Sequence, residues 1–139
     1  MIFGIGTDIV AYARIEAVHA SYGERFAQRI LSQQEVTEYR AHTYPVRLLM
    51  KRFAAKEALA KAIGSGLRYP VSLQKISVTH DVFGKPTFEF DAELAAHLVQ
   101  LGLTHHHLSI SDDHDVAVAF VILEKLIKNL IVKINTLMS

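Results

Sequence analysis

A chain of 139 residues, half of them hydrophobic and 21% charged, has the length and make-up of one compact globular domain, not of a disordered or fibrous protein. Fifteen Lys and Arg against fourteen Asp and Glu leave a formal charge of +1, which excludes a global field as the means of gathering nucleic acid or membrane, so phosphate recognition has to be local. The absence of cysteine excludes a disulfide framework, a thiolate metal site and a thiol nucleophile.

The first ten residues, MIFGIGTDIV, lack a basic leader region and a cleavage site. Extended residues 2–10 place Phe3, Ile5, Thr7 and Ile9 on one face, and Ile2, Gly4, Gly6, Asp8 and Val10 on the other. Helical spacing follows in Ile15, Val18 and Tyr22, and again after Ser32, which stands at capping-box distance from Glu35. The strongest helical pattern runs over about residues 46–63, with Pro45 suited to its first turn and Gly64 to its stop. Residues 76–79 and 87–90 read as a hairpin about the turn 81–86, and Asp91 can cap a helix over 92–101 that ends at Gly102. Leu108 and Ile110 alternate with polar neighbours in a further strand. The run Asp112-Asp113-His114-Asp115 then turns the chain into an apolar last strand, 116–123, too short to cross a bilayer. Strands and helices in this order predict a single α+β domain over residues 1–125. Residues 126–139 form a separate amphipathic tail, with Leu126, Ile127, Leu130, Ile131, Ile134 and Leu137 at helical spacing. It reads as a helix packed on its own domain or on a neighbouring subunit, with a membrane surface as the alternative.

Asp8 is the first residue that calls for chemistry, because a carboxylate in so apolar a strand is costly unless paired, hydrogen-bonded or bound to a cation. The glycines beside it would let a ligand approach the backbone. Glu57 lies one helical turn from both Phe53 and Lys61, an arrangement that serves equally as a surface ion pair or as a place to hold a magnesium ion beside a phosphate oxygen. Arg47, Lys51, Arg52, Lys56 and Lys61 load the same helix with positive charge, and Gly64-Ser65-Gly66 follows as a loop with amides to offer. Consecutive His105, His106 and His107 alternate sides on a strand and so do not readily ligate one ion.

Three segments taken together are more specific than any of these: Gly4-Ile5-Gly6-Thr7-Asp8-Ile9-Val10 with Arg14-Ile15, then Arg52-Phe53-Ala54-Ala55-Lys56-Glu57-Ala58 with Lys61-Ala62, then Gly84-Lys85-Pro86. In order and spacing they resemble the holo-acyl-carrier-protein synthases, the small bacterial type of 4′-phosphopantetheinyl transferase, over roughly the first 125 residues. The resemblance implies a homotrimer of α+β protomers, with an antiparallel sheet packed on helices and active sites at subunit boundaries. It implies transfer of phosphopantetheine from coenzyme A to a serine of apo acyl carrier protein, in the cytoplasm, in support of fatty acid biosynthesis. Asp8 and Glu57 match the family's magnesium ligands and Lys61 the lysine beside the pyrophosphate. Arg47, Lys51, Arg52, Lys56, Gly64, Ser65, Gly66, Gly84, Lys85 and Pro86 match segments that line the coenzyme A site. Arg14 matches a contact to the acidic carrier protein, and Arg25 and Arg29 are candidate helpers in that docking, although the spacing before Phe26 varies in the family. Many relatives carry histidine where this chain has Asp112, so the proton acceptor stays open among Asp112, Glu57 and water at the ion. Two rival readings use the same residues: a magnesium-dependent phosphohydrolase acting on a nucleotide diphosphate, and a non-catalytic coenzyme A-binding module.

Overall fold

The computed structural model describes residues 1–139, except for the side chains of residues 128–131. Strand β1 (Ile2–Ala11) leads into helices α1 (Tyr12–Tyr22), α2 (Glu24–Ile30), α3 (Gln33–Ala41) and α4 (Pro45–Ile63). A 3₁₀ turn (Leu73–Lys75) precedes the hairpin β2 (Ile76–His80) and β3 (Pro86–Phe90); α5 (Ala92–Gln100), β4 (Leu103–Asp112), β5 (Val116–Lys125) and α6 (Lys128–Met138) complete the chain. The two long C-terminal strands and β1 form an antiparallel sheet in the order β1-β5-β4, so β1 and β4 are joined only through β5. The hairpin is a separate two-stranded sheet. Among the described residues no helix is long and apolar enough to cross a membrane.

Helix α4 is the axis of the core. Pro45 stands in its first turn, and Gly64, in the left-handed region at φ 94°, closes it by donating to the Ala60 carbonyl. Leu48, Leu49, Ala54, Ala55, Ala58 and Leu59 are buried along it, against the inward residues Val10, Ala117, Ala119 and Val121 of the sheet. Contact with β1 is unusually close. A Cβ built on Gly6 would lie 1.9 Å from the Ala58 carbonyl oxygen, and one on Gly4 would lie 2.0 Å from that of Ala62. The glycines therefore admit the helix, not a ligand as their position beside Asp8 had led us to expect, and the small Ala58 and Ala62 supply the other half of the fit. Because Gly4 meets Ala62 and Gly6 meets Ala58, strand and helix run in opposite directions, which sets Asp8 beside the middle of α4.

The opposite face of the sheet is apolar and open. Ile5 and Ile9 are 59% and 65% exposed; they pair with Ile122 and Val118, while Phe120, 38% exposed, pairs with Thr7. Helix α6 forms over the expected amphipathic tail, but residues 132–139 are all exposed. Those side chains do not pack on their own domain, the first of the placements expected for the tail; residues 128–131, which include Leu130 and Ile131 of the stripe, lie outside the described side chains.

Candidate active site

Opposed running of β1 and α4 brings together the first two motifs. Lys61 reaches across with its ammonium 3.1 Å from Asp8 Oδ1 and 3.0 Å from the Thr7 carbonyl oxygen. Asp8 is largely covered while Lys61 is exposed, so the carboxylate is presented at a rim, not sealed in the core. Glu57, partly buried on the same helix, has its carboxyl pushed above the usual range, first by burial and then by the negative charge of Asp8; Lys61 and Arg14 oppose the rise. Asp8, Glu57, Lys61 and Arg14 thus share one electrostatic neighbourhood, although they come from a strand, two points of one helix and the first turns of α1. A carboxyl whose proton affinity is raised by a second acid beside it marks a place where a divalent cation would relieve the negative charge. Among the described residues no third His, Cys, Asp or Glu joins them. An ion there would have to complete its shell with water and substrate oxygens, which is the habit of magnesium.

A second basic group lies at the other end of α4. Arg47 precedes Lys61 by fourteen residues, about 21 Å along the helix axis. Its guanidinium donates to the Asp113 carbonyl oxygen at 2.6 Å, stands 3.4 Å from Asp112 Oδ2 and covers the Tyr12 ring at 5.3 Å. A cavity of about 780 Å³ opens beside it, lined by Tyr12, Tyr44, Val46 and His114 among others. His80 at the end of β2 has its imidazole held below its ordinary range by burial and by the positive charges of Arg52 and, less strongly, Lys51. The Gly84-Lys85-Pro86 turn is fixed by Asp81, which accepts from the Phe83 and Lys85 amides at 2.8 and 2.9 Å. Lys85 and Pro86 line a smaller cavity with His106, His107 and Leu108. Asp112 is two strands across the sheet and two residues along from Asp8, roughly 12 Å between backbones. Within the chain, then, the expected coenzyme A residues do not all gather at one place, and the Asp112 carboxylate faces Arg47 rather than Glu57.

Two of the basic residues are placed otherwise than their charge led us to expect. Lys56 is fully buried, its ammonium bonded to Glu35 Oε1 at 2.5 Å and to the carbonyl oxygens of Ile30 at 2.8 Å and Leu73 at 3.0 Å. Desolvation holds its pKa down to about 8. Arg52, 3% exposed, donates to Glu38 at 2.9 Å and stands 3.2 Å from Glu35 Oε2. Neither offers its charge to an external phosphate. Gly64 and Gly66 likewise spend their amides on the Ala60 carbonyl oxygen, and Ser65 Oγ donates to Gly66, so the loop is a helix cap before it is an anion cradle.

Arg25 and Arg29 lie on α2 at the edge of a groove of about 500 Å³ floored by Val18, Tyr22, Phe26 and Phe53. The sequence pattern marked Val18 and Tyr22 as helical but gave no sign that they border a groove, because a stripe at helical spacing looks the same whether it faces the core or a partner.

A profile of the 4′-phosphopantetheinyl transferase superfamily matches residues 4–121. The chain is 57% identical over 125 residues to the holo-[acyl-carrier-protein] synthase of Nitrosospira multiformis, and 55% identical over 125 residues to that of Nitrosomonas eutropha; each match covers 90% of this chain and 100% of the relative. Among solved structures it resembles holo-[acyl-carrier-protein] synthase from Neisseria meningitidis, with a TM-score of 0.88 and 46% identity over 90% of this chain and 100% of that one. It also resembles the Bacillus anthracis enzyme in complex with CoA (3′,5′-ADP), with a TM-score of 0.75 and 35% identity over 91% and 99% of the two chains. With the paired acids on β1 and α4 and the α+β frame that holds them, these likenesses place the chain in the 4′-phosphopantetheinyl transferase superfamily.

Proposed function

We propose that this chain is a magnesium-dependent holo-acyl-carrier-protein synthase, moving the 4′-phosphopantetheine group from coenzyme A to a serine of apo acyl carrier protein and releasing adenosine 3′,5′-bisphosphate. The convergence of Asp8, Glu57 and Lys61 carries this reading: two acids and an ammonium at one open rim suit a pyrophosphate with its cation. Asp8 and Glu57 would hold the magnesium ion, which when bound offsets charge on the diphosphate as the leaving group departs. Lys61, already anchored on Asp8, would be the chain's own contribution to stabilising the oxygens of the transferred phosphoryl group. The serine oxygen attacks the phosphorus borne by pantetheine and the bond from that phosphorus to the bisphosphate oxygen breaks. Glu57 and Asp112 are the chain's own candidates to accept the serine proton, with water as the alternative.

Arg25 and Arg29 at the edge of the apolar groove suit an acidic amphipathic helix, the charges guiding it and Val18, Tyr22 and Phe26 receiving its apolar side, while Arg14, one helical turn before Val18, would add a further positive charge. The open apolar sheet face around Ile5, Ile9 and Phe120 supports self-association as a trimer with active sites at subunit boundaries, and Arg47 and Asp112, which pair with each other apart from Asp8, are candidates to complete a neighbour's site. The reaction belongs in the cytoplasm and supports fatty acid biosynthesis. Hydrolysis of a nucleotide diphosphate and passive coenzyme A binding are disfavoured, since neither accounts for the docking groove.

The deciding experiment incubates the purified chain with apo carrier protein, coenzyme A and magnesium and weighs the carrier. Gain of one phosphopantetheine is expected, with loss of turnover when the metal is chelated. Free phosphopantetheine without a loaded carrier would point to the hydrolase instead.

A further inference from the structure

Lys56 directly precedes Glu57, yet the two side chains serve different faces of α4, about 100° apart. Its three ammonium hydrogens find three acceptors: Glu35 Oε1 in the first turn of α3, the Ile30 carbonyl at the end of α2, and the Leu73 carbonyl in the 3₁₀ turn. Glu35 is in turn fixed by the amides of Ser32 and Val78, each at 3.0 Å, the second of them on β2. Ser77 Oγ joins Ser32 Oγ at 2.6 Å, closing a buried polar cluster that spans five elements: α2, α3, α4, the 3₁₀ turn and β2. An apolar residue of similar size would fill the same space, and buried ion pairs seldom stabilise a fold more than such a replacement does. What an apolar residue lacks is direction, since three convergent hydrogen bonds fix both the rotation and the axial position of a helix.

Consecutive helical residues are about 100° apart around the axis. The rotation that satisfies Lys56 therefore also determines where Glu57 points and, one turn later, Lys61. On its far side the helix rests on Gly4 and Gly6 with no side chain between to absorb a turn. We infer that Lys56 is a positioning residue for phosphopantetheine transfer, locking α4 from behind so that Glu57 and Lys61 meet Asp8. Through the Ile30 carbonyl it also ties the α2 helix, with Arg25 and Arg29, to the same frame. This rests on the function proposed above, but its structural half can be tested without turnover.

The test compares wild type with Lys56→Met, in which Arg52 remains beside Glu35 as counter-charge, and with Lys56→Arg. If Lys56→Met fails to fold, Glu35→Gln with Lys56→Met removes both charges and takes its place. Expected in the folded variant are a fall in kcat of tenfold or more, a KM for coenzyme A within threefold of wild type, and amide hydrogen exchange across residues 57–61 at least tenfold faster. Lys56→Arg, which keeps a charged donor, should recover part of kcat. A folded variant with wild-type kcat and wild-type exchange overturns the inference. So does failure of both the single and the double variant to fold, because Lys56 would then be needed for the fold as a whole. A wild-type chain that loads no carrier sinks the proposed reaction, while the exchange comparison still decides the role of Lys56.

Discussion

At the scale of single residues, the negative charge of Asp8 beside Glu57 carries a cost in stability and, in the proposed reaction, the reactivity. Replacing Asp8 by Ala or Glu57 by Gln should lower turnover on the order of 10³-fold, about 4 kcal/mol of transition-state stabilisation, as read by mass analysis of the carrier. The Glu57 carboxyl lies above its ordinary range, so the folded state holds its proton in a pH window where the unfolded chain has lost it. Stability from this group accordingly declines as pH rises through that window, and Glu57→Gln should unfold at a slightly higher temperature than wild type while being inactive. Binding of a cation needs the ionised form, so the acidic limb of the pH–rate profile should lie above that of an ordinary glutamate. Arg14→Ala removes a charge that lowers the Glu57 pKa, and should move the limb further up. A limb left in place by Arg14→Ala would count against that coupling.

Elements explain why part of this was legible in advance. The bounds of α4 could be read because Pro45 and Gly64 signal start and stop by their own backbone chemistry, and Ser32 with Glu35 forms the capping box its spacing implied. The motif residues Asp8, Glu57 and Lys61 could be chosen because unusual residue types stand out against an apolar strand and an alanine-rich helix. Gly4 and Gly6 were harder, since a missing side chain shows that something comes close but not what comes. Lys56 was harder still: charge invites a surface placement, and only Glu35, twenty-one residues away, with two backbone carbonyls turns it inward. Gly6→Ala tests the strand–helix contact. With a Cβ 1.9 Å from a backbone oxygen, the strand or the helix must move, so a loss of about 3 kcal/mol and a fall in Tm of roughly 10 °C are expected by thermal denaturation. An unchanged Tm would mean that β1 and α4 are not held so tightly.

For the molecule as a whole, the proposed trimer should cover the exposed Ile9 and Phe120 on the outer sheet face. Phe120→Asp should reduce the mass measured by light scattering from three chains to one and remove activity with it; an active monomer would leave the sheet face without that role. Docking of the carrier should depend on the groove edge. Arg25→Ala with Arg29→Ala is expected to raise KM for the carrier three- to tenfold, leave that for coenzyme A unchanged and flatten the dependence of turnover on salt.

The distance of about 21 Å between Arg47 and Lys61 on one helix has a consequence for mixtures. If each reaction centre borrows one end of α4 from each of two neighbouring chains, then Asp8→Ala and Arg47→Ala, each inactive alone, damage different halves. Unfolded together in equal amounts and refolded, they should regain about a quarter of wild-type activity, the share of boundaries in a random ring at which two sound halves meet. Chains that work singly would show no such complementation.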